Sequence, residues 1–194
     1  GVSFGATTPS YDLEKAIDQE YPVEGVTEES VREVLPRFLG EQEQIAPIFS
    51  AKSVDGVRAY ELARKQYREA HKEKTDVMTD FDHTVAETLN KQIINISGME
   101  LISFFPNGKE SGPELSDEGL RPNPRINVVD TSALHLPLAM IRIKCSKGTY
   151  IRALARDLGE ALGSGAHLNS LERTKSGGFT VGNCLSVNEV ISVL

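Results

Sequence analysis

Two spacings of apolar residues alternate along the chain, and their order sets the expected elements. From Leu138 the period is two: Ala139, Ile141, Ile143 and Cys145 alternate with Met140, Arg142, Lys144 and Ser146. That is the pattern of a strand with one buried face. After Gly148 the period lengthens. Ile151, Leu154, Ala155, Leu158, Ala161 and Leu162 form a stripe that predicts a helix over Thr149–Leu162, ended by Gly163 and Gly165. Nearer the start, Thr27 can cap a helix with Glu28 and Glu29 in its first turn. Val31, Val34, Leu35, Phe38 and Leu39 fall on one stripe of that helix; Pro36 should end or kink it and Gly40 close it.

The remaining segments read more locally. Val2 and Phe4 resemble the tail of a strand, with a loop from Gly5 to Ser10, as though the chain were cut from something longer. An extended segment, Ile45 to Phe49, leads through a turn at Asp55-Gly56 into a helix carrying Tyr60, Leu62 and Ala63. "QIINISGMELISFF" is rich in β-branched and aromatic residues, a strand or a bent pair with Gly98 at the bend. A last strand, roughly His167 to Thr174, reaches a turn at Gly177-Gly178, and Ser186 with Glu189 forms a capping box for a terminal helix. The charge-rich stretch near 66–90 and the proline- and glycine-rich stretch near 106–136 read as insertions. Together these predict a mixed α/β domain of the α+β type, with a largely antiparallel sheet and flanking helices.

Composition narrows the class. With 194 residues, 39% hydrophobic and 25% charged, the chain can build a real core. It contains no run approaching the roughly 18 apolar residues of a membrane span. Two cysteines, Cys145 and Cys184, are too few for a disulfide scaffold and read as buried free thiols of a cytoplasmic protein. A net charge of −7 gives no global sign of nucleic-acid binding. The charge is uneven, however. Ser10 to Leu35 holds eight acids against two bases, whereas Arg142 to Lys175 holds seven bases against three acids, locally about +4.

The chemistry concentrates where strand gives way to helix, in "SKGTYIR". Lys147 to Tyr150 should sit at a helix N-terminus, whose free N–H groups favour an anion, with Thr149 as the cap. Tyr150 and Arg152 lie off the apolar stripe, and a planar guanidinium beside an aromatic ring suits an anion together with a flat base. Arg156 shares Arg152's face and reads as a surface pair with Glu160. "SKGT" lacks the glycine spacing of a P-loop. The four histidines show no metal spacing, and His167 reads as structural. Cys145, on the buried face of its strand, is a poor nucleophile.

"CSKGTYIRALARDLGEALGSGAHLNSLERT" closely resembles the C-terminal motif block of the TruB family of tRNA pseudouridine synthases, where KGTYIR, a GAHL-like turn and L-x-R-T follow at this spacing. "GATTPSYD", "QIAPIFSA" and "DGVRAYELAR" match three further family segments in order. The resemblance implies a pseudouridine synthase fold and isomerisation of a T-loop uridine in tRNA without metal or organic cofactor. The steps it implies are aspartate attack, glycosidic cleavage, base rotation and rejoining at carbon. It further implies that Arg152 pairs with the catalytic aspartate, that Tyr150 packs beside the flipped uridine and that Leu171 is an apolar wall for the base. Lys147 and Arg173 would lie near the RNA backbone.

The resemblance also breaks. The family nucleophile sits in a G-x-L-D-P-x-A-T-G motif that these residues lack, and a family tyrosine that stacks on the target base should fall just ahead of residue 1. Asp12 stands in the acidic loop after Gly5, outside that motif, and receives no role. Glu172 stands where arginine is frequent and Ser53 where lysine is common, and no C-terminal RNA-binding domain is expected to follow Leu194. The expectation is the C-terminal portion of a catalytic domain, residues 1–194, whose N-terminal half lies elsewhere, with the T-arm of tRNA as partner. The alternatives are a non-catalytic RNA-binding or assembly module and a relative of the guide-RNA-dependent synthases.

Overall fold

A computed structural model describes residues 1–47, 53–54, 57–58, 91–108, 129–186 and 189–191. In chain order the elements are β1 (Val2–Phe4), β2 (Ala6–Thr7), β3 (Gln19–Glu20), α1 (Glu28–Val34), β4 (Gly40–Gln44), β5 (Ser53–Val54) and β6 (Val57–Arg58). There follow β7 (Gln92–Phe105), β8 (Leu138–Cys145), α2 (Ile151–Leu162), β9 (Ala166–Leu168), β10 (Lys175–Ser176) and β11 (Phe179–Thr180). Five strands make one sheet in the order β4-β7-β8-β1-β9, every neighbouring pair antiparallel. The pairs β2–β3, β5–β6 and β10–β11 are separate two-stranded ribbons. This is the mixed, mostly antiparallel architecture that the sequence predicts.

The "QIINISGMELISFF" segment is one strand of 14 residues, not a pair. Its register against β8 shifts twice, between Ile96 and Gly98 and between Leu101 and Ser103, so Ser97 and Ile102 are extra residues. Each bulge swaps which parity faces inward: Ile94 and Ile96 are buried, then Met99 and Leu101 pack on the core, then Phe104. The first bulge lies opposite the end of β8, where the two-residue period fails, and Cys145 is exposed. Cys184 is exposed as well, so the expectation of two buried thiols is corrected.

α1, with the turn that follows it, and α2 share one core with the sheet: Val31, Val34 and Leu35 beside Leu154, Ala155 and Leu158, over Val2, Phe4, Ile94, Ile96 and Leu168. Thr27 caps α1 as expected, in a reciprocal box with Ser30. Pro36 turns its end into a short 3-10 segment, Leu35–Phe38, which tightens the winding and leaves Leu39 exposed rather than on the buried stripe. Gly40 opens β4 with φ of 91° instead of closing the helix. Ala161 is likewise exposed, and Ala153 and Gly159, outside the expected stripe, are buried. After α2, Gly163 takes the left-handed conformation of a helix stop and Gly165 turns the chain back into β9.

The strand expected over roughly His167 to Thr174 is β9, three residues rather than eight. The turn at Gly177-Gly178 joins β10 to β11, and the capping box is present: Ser186 N–H donates to Glu189 Oε2 at 2.6 Å and Glu189 N–H to Ser186 Oγ at 3.3 Å. The helix expected around Tyr60, Leu62 and Ala63, the stretch 66–90 and most of the second insertion lie outside the described residues. Among the described residues no helix is long and apolar enough to cross a membrane.

Candidate active site

The turn between β8 and α2 is stitched to the strands on either side of it. Asn95 N–H donates to Ser146 Oγ at 2.9 Å and Ser146 N–H to Asn95 O at 2.8 Å. Gln92 Nε2 donates to Gly148 O at 2.7 Å. Gln44, buried at the end of β4, closes on Tyr150: its Oε1 accepts from Tyr150 N–H at 2.8 Å and its Nε2 donates to Tyr150 O at 3.1 Å. The helix therefore starts at Ile151 with Tyr150 in the capping position and no side-chain cap. Thr149, expected as the cap, instead donates from Oγ1 to Ser146 O at 2.9 Å and closes the turn. A glutamine 106 residues away fixes the helix entry, which no local pattern announces.

In the first turn of α2, Arg152 meets a carboxylate. Its Nη1 donates to Asp12 Oδ2 at 3.0 Å and reaches Ser10 O at 3.4 Å. The other oxygen of Asp12 accepts from Ser10 Oγ at 2.6 Å and from Glu14 N–H at 3.0 Å. Thr8 Oγ1 donates to Asp12 O at 2.7 Å, and Thr8 and Ser10 are buried. Both partners keep about a quarter of their side-chain surface in solvent, so this is a largely buried, charge-assisted pair. The sequence reading gave Asp12 no role and expected Arg152 to hold a carboxylate from elsewhere. Among the described residues the carboxylate that Arg152 meets is Asp12: 140 residues separate the two, and only the fold joins them.

Strand β9 supplies the other wall. Leu168 N–H donates to Tyr11 O at 2.9 Å, and Asp12 makes an isolated parallel bridge with Leu168. His167 is buried with Nδ1 2.9 Å from Ala6 O, which makes Nδ1 the donor and leaves Nε2 buried without a hydrogen-bond partner among the described residues. Burial holds its pKa below the ordinary 6.5, although the Ala6 carbonyl, Asp12 and Asp18 pull the other way. The structural reading of His167 fits.

Arg156 departs from expectation. Glu160 lies 3.7 Å from it, but the tighter contacts are to Asp157 Oδ1, at 2.8 Å from Nε and 2.6 Å from Nη2. Its guanidinium carbon stands 5.0 Å from the centroid of the Tyr11 ring. Burial opposes the charge; the Asp157 carboxylate and the Tyr11 phenol outweigh it, and the arginine sits above its usual pKa. Asp157 is raised by the same burial, which Arg156 offsets only in part.

The other predicted positions are more open. Lys147 is exposed in the turn, and Leu171 and Arg173 are exposed in the segment between β9 and β10. The basic window is smaller in space than in sequence, because Arg142 pairs with Glu100 at 3.0 Å, Arg152 with Asp12 and Arg156 with Asp157. Lys144, Lys147, Arg173 and Lys175 remain exposed. A cavity of about 410 Å³ lined by Ser3, Leu13, Asp130, His135, Leu136 and Asn169 shares no residue with the Asp12–Arg152 pair.

Comparison with known proteins decides the family. The model described as TruB family pseudouridylate synthase (N terminal domain) matches residues 1–103, more than half of the chain. The chain belongs to the TruB family. A second model, the tRNA pseudouridylate synthase B C-terminal domain, matches residues 152–194, so Asp12 lies in one matched region and Arg152 opens the other. The tRNA pseudouridine synthase B of Parabacteroides distasonis is 42% identical over 189 residues, covering 97% of this chain and 60% of that protein. That of Bacteroides thetaiotaomicron is 44% identical over 184 residues (95% and 58%), and that of Deinococcus radiodurans 34% over 192 residues (97% and 56%). The chain thus spans about 60% of the length of the curated relatives it matches.

Proposed function

We propose that this TruB chain forms one wall of a site that isomerises a uridine of the tRNA T-arm to pseudouridine. The observation that carries the reading is the Arg152–Asp12 pair, held at 3.0 Å beside Tyr150 where α2 begins. A guanidinium locked by a hydrogen-bonded carboxylate is a rigid cation, able to keep a nucleophilic aspartate ionised and in place. Tyr150, fixed through its backbone by Gln44, offers a ring to a base turned out of the stack, and such a contact offsets part of the unstacking cost. In this reading Leu171 is an apolar wall for the base, and Lys147 and Arg173 meet the phosphate backbone. The nucleophile belongs to the aspartate motif that these 194 residues lack, so the reaction requires a polypeptide that carries it.

The test is tritium release from T-loop uridine labelled at carbon five. The 194 residues alone should release none, and the chain extended with the aspartate motif should release it. In the extended protein Arg152→Lys should lose about a hundredfold in rate, because lysine keeps the charge without the planar fork. Activity from the 194 residues alone would overturn the assignment of the nucleophile, and an unimpaired Arg152→Lys enzyme the role of the arginine.

A further inference from the structure

Asp12 reaches Arg152 from an unusual backbone. Tyr11, immediately before it, has φ of 60°, the left-handed region that a bulky side chain seldom enters. Such a conformation persists only where its surroundings over-determine it. Three contacts do so. Tyr11 N–H donates to Thr8 O at 3.0 Å, Tyr11 O accepts from Leu168 N–H at 2.9 Å, and the Tyr11 ring lies under the Arg156 guanidinium. The first two would be available to any residue at position 11. The third depends on the side chain.

Arg152 and Arg156 are four residues apart on α2 and so present their side chains to one stretch of surface. The first holds the carboxylate of Asp12, the second the ring of the residue before it. Asp157, accepting both Nε and Nη2 of Arg156, orients the guanidinium plane. The geometry points to Arg156 as a positioning residue: by stacking on Tyr11 it holds the left-handed turn that aims Asp12 at Arg152. This rests on the reading that the Arg152–Asp12 pair belongs to the isomerising site. Among the described residues the contacts of Arg156 are with Asp157, Glu160 and the Tyr11 ring, and Arg156 acts through Tyr11.

A double-mutant cycle on the 194-residue chain tests the link without needing any catalysis. Arg152→Met and Asp12→Asn, singly and together, give the coupling between the two as a ratio of unfolding equilibrium constants in urea. Contacting pairs of this kind couple by a factor on the order of ten. The cycle is repeated in Arg156→Met and Tyr11→Leu backgrounds. If Arg156 only stabilised the helix, all four proteins would weaken equally and the coupling would stay the same. The expected result is a coupling reduced to about twofold or less in both backgrounds. Coupling unchanged in both would overturn the proposal. Loss in Arg156→Met alone would also overturn it, because the link would then be long-range charge and not the ring. Arg156→Lys and Tyr11→Phe are milder backgrounds should either first choice fail to fold; the phenylalanine should keep most of the coupling, and its loss there would count against stacking. Failure of the tritium assay leaves this cycle readable, so the two readings fall separately.

Discussion

Replacing Gly159 with alanine should destabilise the protein, although the same change in an exposed helix interior would gain about 1 kcal/mol. Gly159 is buried in α2 where the helix meets the start of β9. A Cβ at this position would lie 2.3 Å from Ala166 N and 2.4 Å from Gly165 C. Both are backbone atoms, and β9 is pinned by its ladder with β1 and by Gly5 N–H donating to Gly165 O at 3.2 Å. No rotamer change relieves the clash, so helix and strand must separate. Overpacking usually costs 1–3 kcal/mol, and backbone contacts this short belong at about 3 or more. Subtracting about 1 kcal/mol of helix propensity leaves a net loss of about 2 kcal/mol. For a chain of this length that lowers Tm by roughly 4–8 °C. Thermal unfolding followed by circular dichroism measures it. Gly98→Ala is the control, since a Cβ there meets only the Lys144 side chain, at 3.6 Å or beyond, and should change Tm little. A Gly159→Ala protein melting at or above the parent would refute the close packing of α2 on β9. β9 would then not be the strand that holds Tyr11 and Asp12 in place.

Leu154, 1% exposed in the centre of the core, should tolerate charge badly: Leu154→Asp is expected to cost about 4 kcal/mol by burying an unpaired carboxylate, measured by urea denaturation. His167 should make stability depend on pH. Burial lowers its folded-state pKa from 6.5, so its contribution is complete above 6.5 and is lost as pH falls through the depressed value, the unfolded chain taking up the proton first. Urea midpoints at pH 7.5, 6.5 and 5.5 should decline in that order, and His167→Gln should flatten the decline. Binding of a T-arm stem-loop should fall roughly a hundredfold between 50 and 200 mM salt if Lys144, Lys147, Arg173 and Lys175 each meet a phosphate, a slope of about −3 to −4 in log units. A titration without salt dependence would exclude this surface as the contact.

What the sequence determined alone was whatever depends on neighbours a few residues away. The capping boxes at Thr27 and Ser186, the turn at Gly177-Gly178 and the apolar stripe through Leu154 and Leu158 are local. Backbone groups there find their partners within one turn, so residue type and spacing suffice. The motif block around Tyr150 and Arg152 is local as well, and it marked the place of the proposed site. Tertiary structure decided the rest. Ser97 and Ile102 bulge because β7 from Ile96 to Phe105 must stay in register with the shorter β8, and the resulting change of parity reads in the sequence as a bend at Gly98. Asp12 looked like one acid among eight in a charged stretch. Its partners Ser10 and Glu14 are near in sequence, but the loop acquires meaning only when β9 draws it in and α2 delivers Arg152. Gln44 is the same case, a polar residue at a strand end until the fold sets it on the Tyr150 backbone. Pairing across a hundred residues or more depends on closing the chain over that distance, and the packing of helix on sheet supplies the free energy for it. No short pattern of residues records that.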